Sequence, residues 1–150
     1  MFEKILIATD GSKHSEKAAE KGIEMAKLSQ GMITAVYVVD IGKEYASIGD
    51  MSFNVADEII EGIRGSLRKQ GESATKHIEE MAKIAGIPVE RKVLEGHPAN
   101  DILKLAEDSK MNLIVVGSIG VTGLDKFLLG SVTEKVVRNS KVPVLVVRAQ

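Results

Sequence analysis

The sequence predicts an α/β fold: an open, parallel sheet of five strands with helices on both faces. Two observations carry that prediction. Short apolar runs alternate with segments of helical periodicity along all 150 residues, the pattern of βαβ units joined by right-handed crossovers. The first two runs also lack the polar alternation of half-exposed strands, which suits a sheet covered on both sides. The length fits one domain, 1–150, large enough to bury roughly 70% of the surface its unfolded chain exposes.

The first run, Lys4 to Thr9, reads as a buried strand closed by the turn pair Asp10-Gly11. Ser12 opens a helix to about Leu28, with Ala19, Gly22, Ile23 and Ala26 forming one narrow inward face. Gly31 ends that helix, and Met32 to Val39 is a second strand stopping at Asp40. A loop from Ile41 to Ser52 precedes a long helical stretch, about Asn54 to Ala85, with Ile78, Met81, Ala82 and Ala85 as its apolar stripe. Gly62, Gly65 and Gly71 lie inside it, each costing about 1 kcal/mol relative to Ala, so a kink or break is expected there. Gly86 ends the helix, and Val89 to Leu94 is a strand whose Glu90, Arg91 and Lys92 indicate a sheet edge.

Pro98 at the first helical position, with Asp101 in the first turn, starts a third helix. Asn112 to Gly117 is a fourth strand, followed by a glycine-containing connection over 118–129. Ser131-Val132-Thr133-Glu134 has the spacing of a capping box for a last helix ending near Asn139. Val142 to Val147 is the fifth strand.

Composition narrows the function. Lys and Arg total 20 against 21 Asp and Glu, a net charge of -1, so no field gathers nucleic acid or anionic lipid. Absence of cysteine removes disulfides, thiolate metal sites and thiol nucleophiles. His14, His77 and His97 have no short ligand spacing among them. Aromatic residues make up 3%, too few for base-stacking platforms on single strands. No apolar run nears the ~20 residues of a membrane helix, and Glu3 stands where a signal peptide carries positive charge. A soluble, cytoplasmic protein with neither a membrane nor a nucleic acid as partner is expected.

In an open parallel sheet, ligands bind beyond the carboxyl ends of the strands, where strand order reverses. With strand 1 central, the crevice falls between strands 1 and 4, among Thr9-Asp10-Gly11, Val38-Val39-Asp40 and Gly117-Ser118-Ile119-Gly120. The glycine-rich stretch Gly117 to Ser131 points to the same place. Glycines let backbone approach a ligand, and the N–H groups of a helix start attract anions such as phosphate. Neither a Walker P-loop nor G-x-G-x-x-G occurs. On the residues alone, these glycines could equally make turns, and Ser131 could simply cap its helix.

The spacing Gly117, Gly120, then Gly130-Ser131 resembles the nucleotide-binding signature of the ATP-binding branch of the universal stress protein family. The opening Ile5 to Ser12 and closing Val142 to Val147 are similar to that family's first and last strands. The resemblance covers essentially the whole chain. It implies strand order 3-2-1-4-5 and an adenine nucleotide alpha hydrolase-like fold. It also implies that Ala8, Thr9 and Asp10 flank adenosine and that Val38 contacts adenine. Val116, Gly117 and Gly120 would line the ribose and phosphate path, with Gly130, Ser131 and Val132 holding phosphates. It implies a homodimer paired antiparallel through strand 142–147, and nothing is carried over for 41–71. A bound triphosphate normally brings Mg²⁺ or Mn²⁺.

The remaining candidates have plainer readings. Asp10 and Asp40 follow strands, where Asp also serves as a turn former. Lys13 and Lys126 could reach phosphate, but a lone lysine is usually solvated. His97 reads as a loop residue, and His14 and His77 as residues of polar helix faces. No G-x-S-x-G elbow, H-E-x-x-H pair or oriented nucleophile is present. The sequence therefore argues for holding ATP, as a sensor or regulatory module, over turning it over. A slow ATPase or related adenosine-nucleotide enzyme and a nucleotide-free dimeric interaction module are the alternatives.

Overall fold

The computed structural model describes residues 1–42, 53–119 and 129–148, with backbone alone for 53–55. Among these residues the elements run β1 (Lys4–Ala8), α1 (Lys13–Ser29), β2 (Met32–Asp40), α2 (Phe53–Ile84) and β3 (Val89–Gly96). They continue with α3 (Pro98–Asp108), β4 (Leu113–Gly117), α4 (Ser131–Asn139) and β5 (Val144–Val147). The strands form one parallel sheet in the order β3-β2-β1-β4-β5, as the resemblance implied.

Alternation along each strand sorts its side chains onto two faces. Ile5 and Ile7 of β1 pair in register with Ile33 and Ala35 of β2 and with Leu113 and Val115 of β4. These meet Ala19, Ile23 and Ala26 of α1 and Ile78 and Ala82 of α2. On the opposite face, Leu6, Val36, Ile114 and Val116 pack against Ile102 and Ala106 of α3 and Val136 of α4. Ile5, Leu6 and Ile7 are wholly buried, so β1 is covered on both sides. That explains its unbroken apolar sequence.

Several boundaries differ from expectation for identifiable reasons. Helix α1 is stopped by Gln30, which takes the left-handed conformation at φ 55°. Gly31 serves close approach instead: a Cβ there would stand 2.6 Å from the Phe2 carbonyl oxygen. Helix α2 is continuous over 32 residues with no break at Gly62, Gly65 or Gly71. Burial of Ile60, Ile78 and Ala82 holds it, and Arg91 of β3 stitches it to the sheet. That guanidinium donates to Thr75 Oγ1 at 3.2 Å, the Glu72 carbonyl at 2.9 Å and the Glu72 carboxylate at 2.8 Å. Gly86, at φ 74°, makes the expected turn into β3.

Ser131 is the first residue of α4, not its cap. Gly130 occupies the N-cap, and no side chain caps the helix. Glu134 pairs with Arg138 at 2.6 Å rather than reaching back to complete a capping box. The fifth strand is shorter than 142–147: Val142 N–H donates to Ser140 Oγ at 3.1 Å in a turn, and pairing begins at Val144.

Candidate functional site

The reversal of strand order falls between β1 and β4, as expected of a ligand crevice. A cavity of about 500 Å³ opens there at the carboxyl ends of the strands, within the roughly 300–1,000 Å³ of small-molecule sites. The turn after β1 gives it Ala8, Thr9 and Asp10, while β2 gives Val36, Tyr37, Val38 and Asp40. Val116, Gly117 and Ile119 line it from β4 and its exit, and Gly130, Ser131, Val132 and Thr133 from the start of α4. Thus Ala8, Thr9, Asp10, Val38, Val116, Gly117, Gly130, Ser131 and Val132 share one cavity. Gly120 and Lys126 lie outside the described residues. Lys13 is exposed at the start of α1, away from this lining.

The turn after β1 is fixed by its own side chains. Thr9 Oγ1 accepts from Gly11 N–H at 3.1 Å and lies 3.0 Å from Ser15 Oγ. Asp10 Oδ1 accepts from Ser12 N–H at 2.9 Å, and Ser12 Oγ caps α1 by accepting from Ser15 N–H at 3.2 Å. Asp10 is therefore both a turn former and a cavity residue. Asp40 likewise accepts from Gly42 N–H at 3.0 Å.

The start of α4 is pinned to the exit of β4. Gly130 N–H donates to the Ser118 carbonyl at 2.8 Å, and Thr133 Oγ1 donates to the Gly117 carbonyl at 2.7 Å. The first intrahelical bond, from Glu134 N–H to the Gly130 carbonyl, is 2.8 Å long. Ser131, Val132 and Thr133 precede it, so their N–H groups have no intrahelical acceptor. These donors and the positive end of the helix dipole stand beside the cavity, an arrangement suited to an anion. Gly130 has an ordinary φ of -60°. Its value to a ligand is therefore the room left by a missing side chain, not a special backbone conformation.

Sequence reasoning missed one wall. Ile63, Leu67 and Gln70 of α2 also line the cavity, and Tyr37 OH donates to Gln70 Oε1 at 3.4 Å. Burial, and secondarily the Asp10 charge, raise the Tyr37 phenol above its ordinary pKa of 10.0. The usable signal was Gly71. A Cβ there would come within 2.6 Å of Tyr37 Cδ1, so glycine lets the ring lie against α2. A second hollow of about 480 Å³, between the start of α1 and α2, shares Thr9, Asp10 and Gln70 with the first.

Residues 1–148 match the model of the universal stress protein family. The chain belongs to that family. It is 39% identical over 148 residues to universal stress protein MJ0531 of Methanocaldococcus jannaschii, covering 99% of this chain and 83% of that one. To YxiE of Bacillus subtilis it is 37% identical over 152 residues, covering 99% and 100%. The solved structure of MJ0577, also from M. jannaschii, superposes with a TM-score of 0.84 at 29% identity, covering 100% and 98%. The architecture is the adenine nucleotide alpha hydrolase-like fold of these family members.

Proposed function

We propose that the cavity binds an adenine nucleotide, ATP, and that the protein works as a nucleotide-loaded sensor or regulatory module. The observation that carries this reading is the convergence of the signature residues of β1, β2, β4 and α4 on one cavity beside helix donors that have no intrahelical acceptor. Asp10, with Ala8 and Thr9, flanks the adenosine, and Val38 meets the base. Val116, Gly117 and Gly120 follow the ribose and phosphates, while Gly130, Ser131 and Val132 hold the phosphates. A family member of this fold has been solved in complex with cAMP, which makes adenine nucleotides the first ligands to try.

The triphosphate brings Mg²⁺ or Mn²⁺ in this reading, to offset phosphate charge. Among the described residues no group of three or more acidic or imidazole side chains is placed to hold a metal. The phosphates would then carry the cation, with at most Asp10 or Asp40 beside it. Both carboxylates already fix backbone turns, so hydrolysis should run far below the enzyme median of about 10 per second. A rate near that median, abolished in Asp10→Ala, would make the protein an enzyme instead.

The deciding experiment is to denature the purified protein, identify released nucleotide by chromatography and mass, and titrate nucleotide-free protein with ATP. Protein that carries no nucleotide and ignores added ATP would leave the interaction-module alternative. A second reading concerns assembly. Strand β5 lies at the sheet edge with Val144 to Val147 all partly exposed and no charge among them, an edge disposed to pair with another chain. We propose a homodimer through β5 and its approach, 142–147, about a two-fold axis. Light scattering that returns one 16.1 kDa chain at micromolar concentrations would remove it.

A further inference from the structure

The turn after β1 is held by a residue outside it. Ser15, in the first turn of α1, is 5% exposed and lines the cavity. Its hydroxyl proton has one destination. The Ser12 carbonyl lies 2.8 Å from Ser15 Oγ and has no proton to give, so Ser15 is the donor there. Thr9 Oγ1, 3.0 Å from Ser15 Oγ, is then the donor in their contact. With Ser12 Oγ 3.4 Å away as a second donor, Ser15 Oγ has its full set of partners. The Thr9 oxygen in turn accepts from Gly11 N–H at 3.1 Å. The chain runs one way, from Gly11 to Thr9 to Ser15 to the Ser12 carbonyl.

That chain brackets Asp10. Thr9 precedes it, and Gly11 follows in the left-handed region at φ 83°, a conformation glycine adopts without a Cβ penalty. The Asp10 carboxylate commits one oxygen, Oδ1, to Ser12 N–H at 2.9 Å. Its other oxygen is the one left to meet a ligand in the cavity that Asp10 lines. We propose that Ser15 is a positioning residue of the nucleotide site: by holding Thr9, it sets the turn that presents the Asp10 carboxylate. This rests on the adenine-nucleotide reading above and adds to it a residue that acts through another.

Donor counting also defines what Thr9 offers. Its proton goes to Ser15, so it presents the cavity with a methyl group and a lone pair but no donor. The hydroxyl at position 9 therefore serves the turn. Binding groups have to be held within roughly 0.5 Å of their productive geometry, and a buried hydroxyl bonded on several sides supplies that constraint. Without Ser15 Oγ, the Thr9 side chain loses the contact that fixes it, and Gly11 N–H loses a fixed acceptor. The bonds of Ser12 to Asp10 and to the Ser15 N–H remain. The fold therefore survives, while the carboxylate is held less firmly.

Calorimetric titration with ATP and with inorganic triphosphate tests the proposal. In Ser15→Ala the ATP affinity should fall by about fivefold, within the range for members of one hydrogen-bond network. Triphosphate, which reports the α4 donors, should bind as it does to the wild type. In an Asp10→Ala background the same substitution should weaken ATP by less than about twofold, because the group it positions is gone. Thr9→Val severs the chain from its other end and should match Ser15→Ala. Thr9→Ser keeps the hydroxyl and should restore wild-type affinity. Circular dichroism checks each fold, and if Ser15→Ala does not fold, the two Thr9 variants decide. Suppose wild-type protein binds ATP. If folded Ser15→Ala then binds it as tightly, loses triphosphate equally, or keeps its full loss without Asp10, Ser15 does not position Asp10, while the nucleotide site stands. Equal ATP affinity in Thr9→Val and Thr9→Ser has the same meaning. If wild-type protein binds no nucleotide, the functional reading fails and takes the positioning role with it.

Discussion

The two ends of the sheet are built from the same strands and do opposite things with their polar groups. At the amino end, Lys4 and Asn112 exchange hydrogen bonds: Lys4 N–H to Asn112 Oδ1 at 2.8 Å, and Asn112 N–H to the Lys4 carbonyl at 2.7 Å. Met32 N–H donates to the Glu3 carbonyl at 2.8 Å, Gly31 N–H to the Ala26 carbonyl at 2.9 Å, and Ser29 Oγ to the Phe2 carbonyl. These groups are satisfied within the chain, and Gly31 brings the backbones nearly into contact. At the carboxyl end the turn after β1 is equally well tied, yet the first N–H groups of α4 remain without intrahelical acceptors beside a cavity. Closed hydrogen bonding makes one end a clamp, and donors without intrahelical acceptors suit the other to the anion proposed for it. Substitutions at the first should cost stability, and at the second, ligand.

The largest effect should come from Gly31→Val. Its side chain would collide with the carbonyl oxygens of Phe2 at 2.6 Å and Glu3 at 2.9 Å, and backbone cannot swing aside as a flexible side chain can. Overpacking of this kind costs about 3 kcal/mol, which lowers the melting temperature by roughly 6–12 °C in a chain of this size. ATP affinity measured well below the melting temperature should hold. A variant that melts like the wild type but binds ATP poorly would erase the distinction between the ends.

Gly130→Val should do the reverse. Its φ of -60° and ψ of 152° suit any residue, so the nucleotide-free protein should still fold, losing only the advantage of glycine over valine as an N-cap, about 1 kcal/mol or less. The branched side chain would stand where phosphate approaches, and ATP affinity should fall at least tenfold, about 1.4 kcal/mol. An unchanged titration in the folded variant would sink the phosphate site.

Thr133→Val lies where the two behaviours meet. The hydroxyl that pins α4 to the Gly117 carbonyl at 2.7 Å is lost while the side-chain volume is kept. Stability should fall by about 1 kcal/mol, the net worth of one such bond. ATP affinity should weaken by only a few fold, because the donors survive but are held less firmly. Loss of stability with wholly unchanged affinity would mean that the start of α4 does not depend on this tie.

Much of this was legible in the sequence, and what was not has a physical cause. Strands β1, β2 and β4 announce themselves as continuous apolar runs because helices cover both their faces. The charges of Glu90, Arg91 and Lys92 rightly place β3 at an edge. Local propensity misled in α2, where Gly62 and Gly65 face open space and tertiary burial outweighs their cost. It misled again at Ser131, because the Gly130 N–H and carbonyl are engaged by Ser118 and Glu134 and shift the cap back by one residue. The nominated cavity residues sit next to strand ends, where a topological rule finds them. Gln70 meets Tyr37 across 33 residues of chain, and only the placement of α2 on the sheet brings them together.

The smallest effect probes the carboxyl end from inside the protein, through pH. Folding raises the Tyr37 pKa above 10.0, chiefly by burial and then by the Asp10 charge. The folded state therefore keeps this proton to a higher pH than the unfolded state does. Below pH 10 the phenol is protonated in both states, and its contribution to stability is fully present. As pH rises through the ordinary phenol value, unfolding begins to release the proton, so stability declines until the folded-state pKa is passed. Tyr37→Phe has no proton to release. Lysines and other alkaline-titrating groups are common to both proteins and cancel in the comparison. The melting temperatures of wild type and variant should thus stay a constant interval apart up to about pH 9 and shift in the variant's favour by about pH 11. A constant interval across the whole range would mean that the phenol ionises as easily in the folded protein as in the unfolded chain, and that the Tyr37 pocket is open to water.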